Sequence, residues 1–249
     1  MEKIKKETLY TKEDERTAKR RLVAKLGSST ICDESGAVRS DLLSSLAKQT
    51  KELQQKSVET IFISSGAVAV GRLVAPEVED KRLLSGIGQS WLSMAWNKAF
   101  YPTPVTQLLF TDDQLNDNGY IKKQVETALH YGVIPVINSL NPDTNNDFAG
   151  SQVAHAIDAN IFALLTTKDG VLRGDKTIPL VRDWDDLAGA ITDDTSNFGT
   201  GGMRPKCGEA FRFVRSTGGE AIIARGLTEK ILHKIAAGEE GVGTRFAHV

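Results

Sequence analysis

Apolar residues along this chain fall into short runs, separated by longer stretches in which they recur every three or four positions. The runs LVAKL (22–26), TIFIS (60–64), VTQLLF (105–110), VIPVIN (133–138), IFALLT (161–166) and EAIIA (220–224) have the length and β-branched content of strands. Between them lie helical patterns. One starts at Ser40-Asp41 and carries Leu42, Leu43, Leu46, Ala47 and Leu53 on one face. Another covers 82–100, with Leu84, Ile87, Trp91, Leu92 and Ala95 on its buried stripe; further helices are expected over 118–131, near 206–216 and over 227–237. Strands alternating with helices of this size imply βαβ units with right-handed crossovers, hence an α/β protein with a mostly parallel sheet. The Asp-, Asn- and Gly-rich stretch from Asn138 to Gly150 reads as a long loop, and loops of that length are commonly functional.

The polar residues that interrupt this pattern gather where such a sheet places its site. Ligands of open parallel sheets bind at the carboxyl ends of the strands. Here the strands end in Gly27-Ser28-Ser29, Ser64-Ser65-Gly66, Asn138 and Thr166-Thr167. Any single αβ turn uses Gly and Ser for capping, but four strands agree. Lys25 stands out as a charge inside the first apolar run, two residues before a glycine. It is either a surface residue on an edge strand or the partner of something anionic. A second lysine ends GTGGMRPK (199–206). Three glycines expose backbone N–H groups just before a helix N-terminus, a cradle suited to phosphate, and Lys206 adds a point charge. The stretch matches neither the Walker A nor the dinucleotide pattern, and a flexible loop with an incidental lysine would read the same. Two cations on glycine-rich turns are what phosphoryl transfer requires, because its catalysis is positioning and charge neutralisation.

Composition narrows the classes. The chain has 249 residues, 40% apolar and 25% charged, with a net charge of −1, so no global field favours nucleic acid or anionic membrane. Cys32 and Cys207 form no disulfide framework and no CxxC motif, which points to a reduced, cytoplasmic setting. No run approaches the length of a membrane span. Residues 1–20 are dense in both charge signs and read as a solvated extension, with residues 21–249 forming the folded domain.

AKLGSST, FISSGAVAVGR, IGQSWL, YGVIPVIN, GTGGMRPK and VGTRF (242–246) are similar, in order and spacing, to the glutamate 5-kinases of the amino acid kinase superfamily, over residues 21–246. The resemblance implies a three-layer α/β/α fold and ATP-dependent phosphorylation of the side-chain carboxylate of L-glutamate, the first committed step of proline biosynthesis, with Mg²⁺ as cofactor. It implies that Lys25 and Lys206 contact phosphate and stabilise the transition state. It places Gly27, Ser28, Thr166, Thr167 and the loop Thr200, Gly201, Gly202 and Met203 on the nucleotide. Ser65, Gly66 and Ala67 match the glutamate-binding turn. No metal ligand is assigned to a protein side chain. The expected partners are L-glutamate and ATP, the glutamyl phosphate reductase of the same pathway and further copies of this chain. The RNA-binding-like module that follows in many bacterial members is not expected here, nor is nucleic acid as a partner.

The resemblance fails on the acceptor side. Where the family has Asn-Glu-Asn-Asp, this chain reads Asn138-Ser139-Leu140-Asn141, so Asn141 takes the place of the acid that helps hold substrate. The family's Gly-Asp-Asn-Asp is matched to Gly150-Ser151-Gln152-Val153, with both acids gone and the following helix shortened, while its Thr-Asp pair becomes Thr166-Thr167. Two lysines converging without an acid would repel, and Asp143, Asp147 and Asp158 are the candidates to compensate. A kinase with another acceptor, and a weak or inactive nucleotide-binding member, are the alternatives. The remaining features have bland readings. His130, His155, His233 and His248 lack ligand spacing, Asp112-Asp113 caps a helix, and Trp91, Trp96, Phe100 and Tyr101 form core or a subunit interface.

Overall fold

The computed structural model describes residues 19–190 and 202–247. The extension expected over residues 1–20 therefore lies, up to residue 18, outside the described residues, as do Asp193, Asp194, Thr200, Gly201 and His248. The chain opens with β1 (Arg20–Leu26), α1 (Ser28–Ile31), α2 (Ser40–Gln54), β2 (Val58–Ser64), α3 (Ala67–Val74) and α4 (Lys81–Phe100). It continues through β3 (Val105–Phe110), α5 (Asp112–Leu115), α6 (Asn118–His130), β4 (Ile134–Ser139), α7 (Asn146–Ala156) and β5 (Ile161–Thr166). The short strands β6 (Leu172–Arg173), β7 (Lys176–Thr177) and β8 (Leu180–Val181) precede α8 (Met203–Thr217), β9 (Glu220–Arg225), α9 (Ile231–Ala236) and β10 (Thr244–Phe246).

Among the described residues, eight strands form one sheet in the order β3-β4-β2-β1-β5-β9-β10-β8. Pairs are parallel except β9 with β10. Successive side chains of a strand face opposite ways, and β1 shows the consequence. Leu22, Ala24 and Leu26 enter a core shared with α2, α4 and α9, whereas Val23 enters the opposite core, shared with α6, α7 and α8. Helices thus cover both faces, giving the three layers. Lys25 has the parity of Val23 and so faces the layer that contains α7 and α8. The edge-strand reading of Lys25 is excluded, since β1 lies between β2 and β5.

Several expected elements move. The stretch read as a loop from Asn138 to Gly150 is strand to Ser139 and helix from Asn146. On α4 the buried positions are Leu84, Gly88, Leu92, Trp96 and Phe100, one every four residues, which turns Trp91 outward to 51% exposure. Trp96 and Phe100 pack with Phe62 at ring separations of 4.9 to 5.8 Å, and the Trp96 indole N–H donates to Ser64 Oγ at 3.0 Å. Tyr101 is exposed rather than core. α3 has no clear signal in AVAVGRLV, because it spans only eight residues, its apolar residues include the exposed Leu73 and Val74, and Gly71 lies inside it.

Two glycines fix how closely α3 and α4 approach. A Cβ on Gly71 would lie 1.9 Å from the Leu84 carbonyl oxygen, and one on Gly88 would lie 1.9 Å from that of Ala67. Backbone atoms cannot give way as a side-chain tip can. Gly88→Ala is therefore expected to destabilise the protein by about 1–3 kcal/mol, the usual range for overpacking. A urea denaturation midpoint unchanged from that of the parent would refute this packing.

Candidate active site

Each strand end places a different kind of group around one cavity of about 710 Å³. β1 runs into Gly27, whose carbonyl accepts the Thr30 and Ile31 amides and so turns the chain into α1. β2 runs into Ser65 and Gly66. Gly66 has φ of +109°, and a Cβ there would meet Ile31 Cγ2 at 2.8 Å, so both conformation and space demand glycine. β4 delivers Asn138 and Ser139, and β5 delivers Thr166 followed by Thr167. The sheet order separates these groups. The ends of β2 and β4 lie on one side of β1 and the end of β5 lies on the other, with Lys25 between them.

The centre of the cavity is a buried ion triad. Lys25 Nζ lies 2.7 Å from Asp147 Oδ1, and Lys206 Nζ lies 3.1 Å from Asp147 Oδ2. Asp147 is fully buried, Lys25 is 6% exposed and Lys206 is 9% exposed. Asp147 sits in the first turn of α7, and its amide donates to the Asn145 side chain that caps the helix. Burial on its own would raise the Asp147 carboxyl, but the neighbouring ammonium groups of Lys25 and Lys206 outweigh it and hold the group below the ordinary carboxylate range. Lys25 is displaced downward by burial, with Lys206 adding to the effect and Asp147 opposing it. The two ammonium groups and the carboxylate between them meet in a nearly dry place.

The expectation that the acceptor-side acids are lost is corrected here in part. Gly150 and Ser151 lie inside α7, where Gly150 abuts Phe162 and Ser151 Oγ donates to Glu209 at 2.5 Å. The acid that faces the lysines comes three residues before Gly150, in Asn145-Asn146-Asp147. An Asn-Asn-Asp stretch ahead of an apolar run is a helix-start signature and could have revealed it. Of the other candidates, Asp143 pairs with Lys81 at 2.5 Å and Asp158 with Lys122 at 2.9 Å, both at the surface.

Gly27, Ser28, Ser65, Gly66, Ala67, Asn141, Thr166 and Thr167 all line the cavity with the two lysines. The glycine-rich stretch is only partly described. Gly202 is the N-cap of α8, and Met203, its first residue, packs against the core instead of lining the cavity. The helical period explains this, since Met203, Cys207, Ala210 and Val214 share the stripe that faces the sheet. Lys206 belongs to this helix rather than to the loop before it.

Sequence reasoning missed Asn146, Arg72 and Lys81. Asn146 Nδ2 donates to Ser65 Oγ at 3.0 Å and to Asn138 Oδ1 at 2.9 Å, tying α7 to the ends of β2 and β4. Arg72 and Lys81 come from α3 and the start of α4, and both line the cavity. Asp112 and Asp113 stand in the first turn of α5, behind a capping box made by Thr111 and Gln114, and Asp112 accepts from Asn141 Nδ2 and Thr144 Oγ1. Among the described residues, no three His, Cys, Asp or Glu side chains are grouped to hold a metal ion.

Residues 20–225 match the model of the amino acid kinase family. The chain is 34% identical to the glutamate 5-kinase of Shewanella oneidensis, over 93% of its own length and 69% of that protein's. It is 33% identical to the glutamate 5-kinase of Shewanella amazonensis, over 91% of its own length and 66% of that protein's. It thus spans about two thirds of the length of these curated relatives. Among solved structures, the carbamate kinase of Giardia superposes with a TM-score of 0.67 at 14% identity, covering 94% of this chain and 100% of that one, which establishes a common fold.

Proposed function

Because this chain belongs to the amino acid kinase family, we propose that it transfers the γ-phosphoryl group of ATP to a carboxylate, the side-chain carboxylate of L-glutamate. The observation that carries this reading is the Lys25–Asp147–Lys206 triad at the middle of a cavity with two chemically distinct halves. On the β5 side, Gly27, Ser28, Thr166 and Thr167 offer backbone and hydroxyl donors suited to a nucleotide. On the β2 and β4 side, the Ser65 hydroxyl, held by Asn146, and the Gly66 backbone offer donors suited to a carboxylate. The junction between the halves is where a γ-phosphoryl group would pass.

The acceptor carboxylate oxygen attacks phosphorus in line as the bond to the β–γ bridging oxygen breaks, giving an acyl phosphate and ADP. Charge accumulates on the bridging oxygen and is spread over the equatorial oxygens throughout. Lys25 and Lys206 supply the neutralising charge, and Asp147 acts as a positioning residue that holds both ammonium groups before substrate arrives. The described residues do not form a cage for Mg²⁺, since Asp147 already answers two lysines and no other described acid joins it. The ion is expected to enter on the nucleotide's phosphates. The glutamate 5-kinase relatives support L-glutamate as the acceptor; a place in proline biosynthesis, a reductase that consumes the acyl phosphate and a homo-oligomeric assembly are proposed with it. So does a cytoplasmic setting. No helix among the described residues is long and apolar enough to cross a membrane.

Incubation with ATP, Mg²⁺, L-glutamate and hydroxylamine is expected to give a glutamate-dependent hydroxamate, the trapped acyl phosphate. A thermal shift with ATP but no hydroxamate would show that the fold binds nucleotide without this reaction.

A further inference from the structure

On the β2 and β4 side of the cavity, the described side chains offer positive charge, amides and hydroxyls but no uncommitted carboxylate. Among the described residues, the charged side chains lining the cavity are Lys25, Arg72, Lys81 and Lys206 with the carboxylate of Asp147, which the two buried lysines already occupy. The four asparagines of this side each already accept one hydrogen bond at the side-chain carbonyl. Asn138 Oδ1 accepts from Asn146 at 2.9 Å, Asn141 Oδ1 from the Asp143 amide at 3.1 Å, Asn145 Oδ1 from the Asp147 amide at 2.9 Å and Asn146 Oδ1 from the Ser139 amide at 3.5 Å. Asp143 neutralises Lys81 at 2.5 Å. Arg72 differs from the other cations in forming no hydrogen bond or ion pair with any described residue. It stands on α3 three residues after Ala69 and four after Val68, on the helix face that, with both of them, borders the cavity.

An α-ammonium group is held strongly by a charge-assisted bond to a carboxylate, and among the described residues Asp147 and Asp143 are both committed to lysines. A guanidinium with no partner of its own offers a planar fork to a carboxylate. From these observations we infer that the site recognises its acceptor as a dicarboxylate. One carboxylate points to the lysine triad and is phosphorylated, the other is held by Arg72, and the α-ammonium of an amino acid is not read. Arg72 is then the residue that sets specificity. This rests on the kinase reading above and narrows the class of acceptor it takes.

Two deletions from L-glutamate separate the contributions. Glutarate lacks the ammonium but keeps both carboxylates, and 4-aminobutanoate keeps the ammonium but lacks the second carboxylate. Acyl phosphate formation with ATP is measured for all three as hydroxamate. Glutarate is expected within about tenfold of L-glutamate in kcat/KM, because a site that makes no hydrogen bond to a group does not reject its absence. 4-Aminobutanoate is expected to fall by at least about 10²-fold, as loss of a charge-assisted pair does. In Arg72→Gln, KM for glutarate is expected to rise by roughly 10–100-fold with kcat less affected, and Arg72→Lys should recover part of that loss. The reverse order, with 4-aminobutanoate accepted and glutarate weaker than L-glutamate by 10³-fold or more, overturns the proposal. If no acceptor is turned over, the same three compounds are tested as thermal stabilisers in the presence of a non-hydrolysable ATP analogue. Stabilisation by L-glutamate and glutarate alike, lost in Arg72→Gln, upholds dicarboxylate recognition although the kinase reading fails. Stabilisation by neither overturns both.

Discussion

Replacing Lys206 with alanine is expected to lower kcat by at least about 10²–10³-fold, the scale set by removing one preorganised donor from a developing charge. The fold should survive, because the substitution leaves Asp147 paired with Lys25 at 2.7 Å. Loss of turnover with the melting temperature nearly kept is therefore the signature to look for. kcat and kcat/KM should fall together, since the contact strengthens only as the phosphoryl group moves. Steady-state kinetics beside a thermal melt settles the matter. Turnover equal to the parent's would remove Lys206, and with it the proposed reaction centre, from consideration.

Asp147→Asn should show the opposite balance, with stability the first casualty. It removes the carboxylate that stands between two buried ammonium groups. Breaking a buried ion pair from one side costs about 3–5 kcal/mol, which for a protein of this size is a fall of roughly 6–20 °C in Tm. The pH dependence identifies the cause. Asp147 has a folded-state pKa below its unfolded value, so its contribution is complete above the unfolded pKa of about 4 and is lost as pH falls through the depressed folded value. The gap between parent and variant should accordingly narrow in acid. On the alkaline side, removing Asp147 takes away what holds the Lys25 pKa up, so that pKa drops further below its ordinary value. The variant should regain stability as Lys25 deprotonates, and any residual activity should vanish at lower pH than in the parent. ATP, whose phosphates bring negative charge to the lysines, should stabilise the variant by more than it stabilises the parent. A stability gap constant from acid to alkaline pH would mean that Asp147 contributes packing rather than charge.

Periodicity was a reliable guide where one pattern faced one surface. The strand runs 105–110 and 161–166 coincide with β3 and β5, and Ser40 begins α2. β5 is apolar at successive positions because both its faces enter a core, and α2 carries Leu42, Leu43, Leu46 and Leu53 at helical spacing on the face it buries. The guide failed where neighbours altered the demand. α3 packs against α4 at glycine distance yet also carries exposed Leu73 and Val74, so its apolar residues do not mark one buried face. Trp91 continues an apolar stripe in the sequence, yet a four-residue spacing toward the sheet selects Leu92 and Trp96 instead. The short strands β6, β7, β8 and β10 lack the length to show a pattern at all.

The chain's own residues determined the α/β class, the gathering of small polar groups at the carboxyl ends of the strands, and the pair of lysines next to glycine turns. These are local facts, decided by alternation, by turn chemistry and by the charge a residue carries. Which acid would stand between the lysines was beyond them. Asp147 reaches Lys25 across 122 positions and Lys206 across 59, through a strand whose parity turns Lys25 toward α7 and α8. Matching by motif placed the acids at Gly150 to Val153, whereas the cap at Asn145 starts the helix earlier and brings Asp147 inward. Arg72 and Asn146 came to the site in the same way, through the packing of α3 and α7 around the strand ends. Tertiary structure decided these because burial and the field of distant charges depend on what folds alongside a residue, and no window of neighbouring sequence contains that.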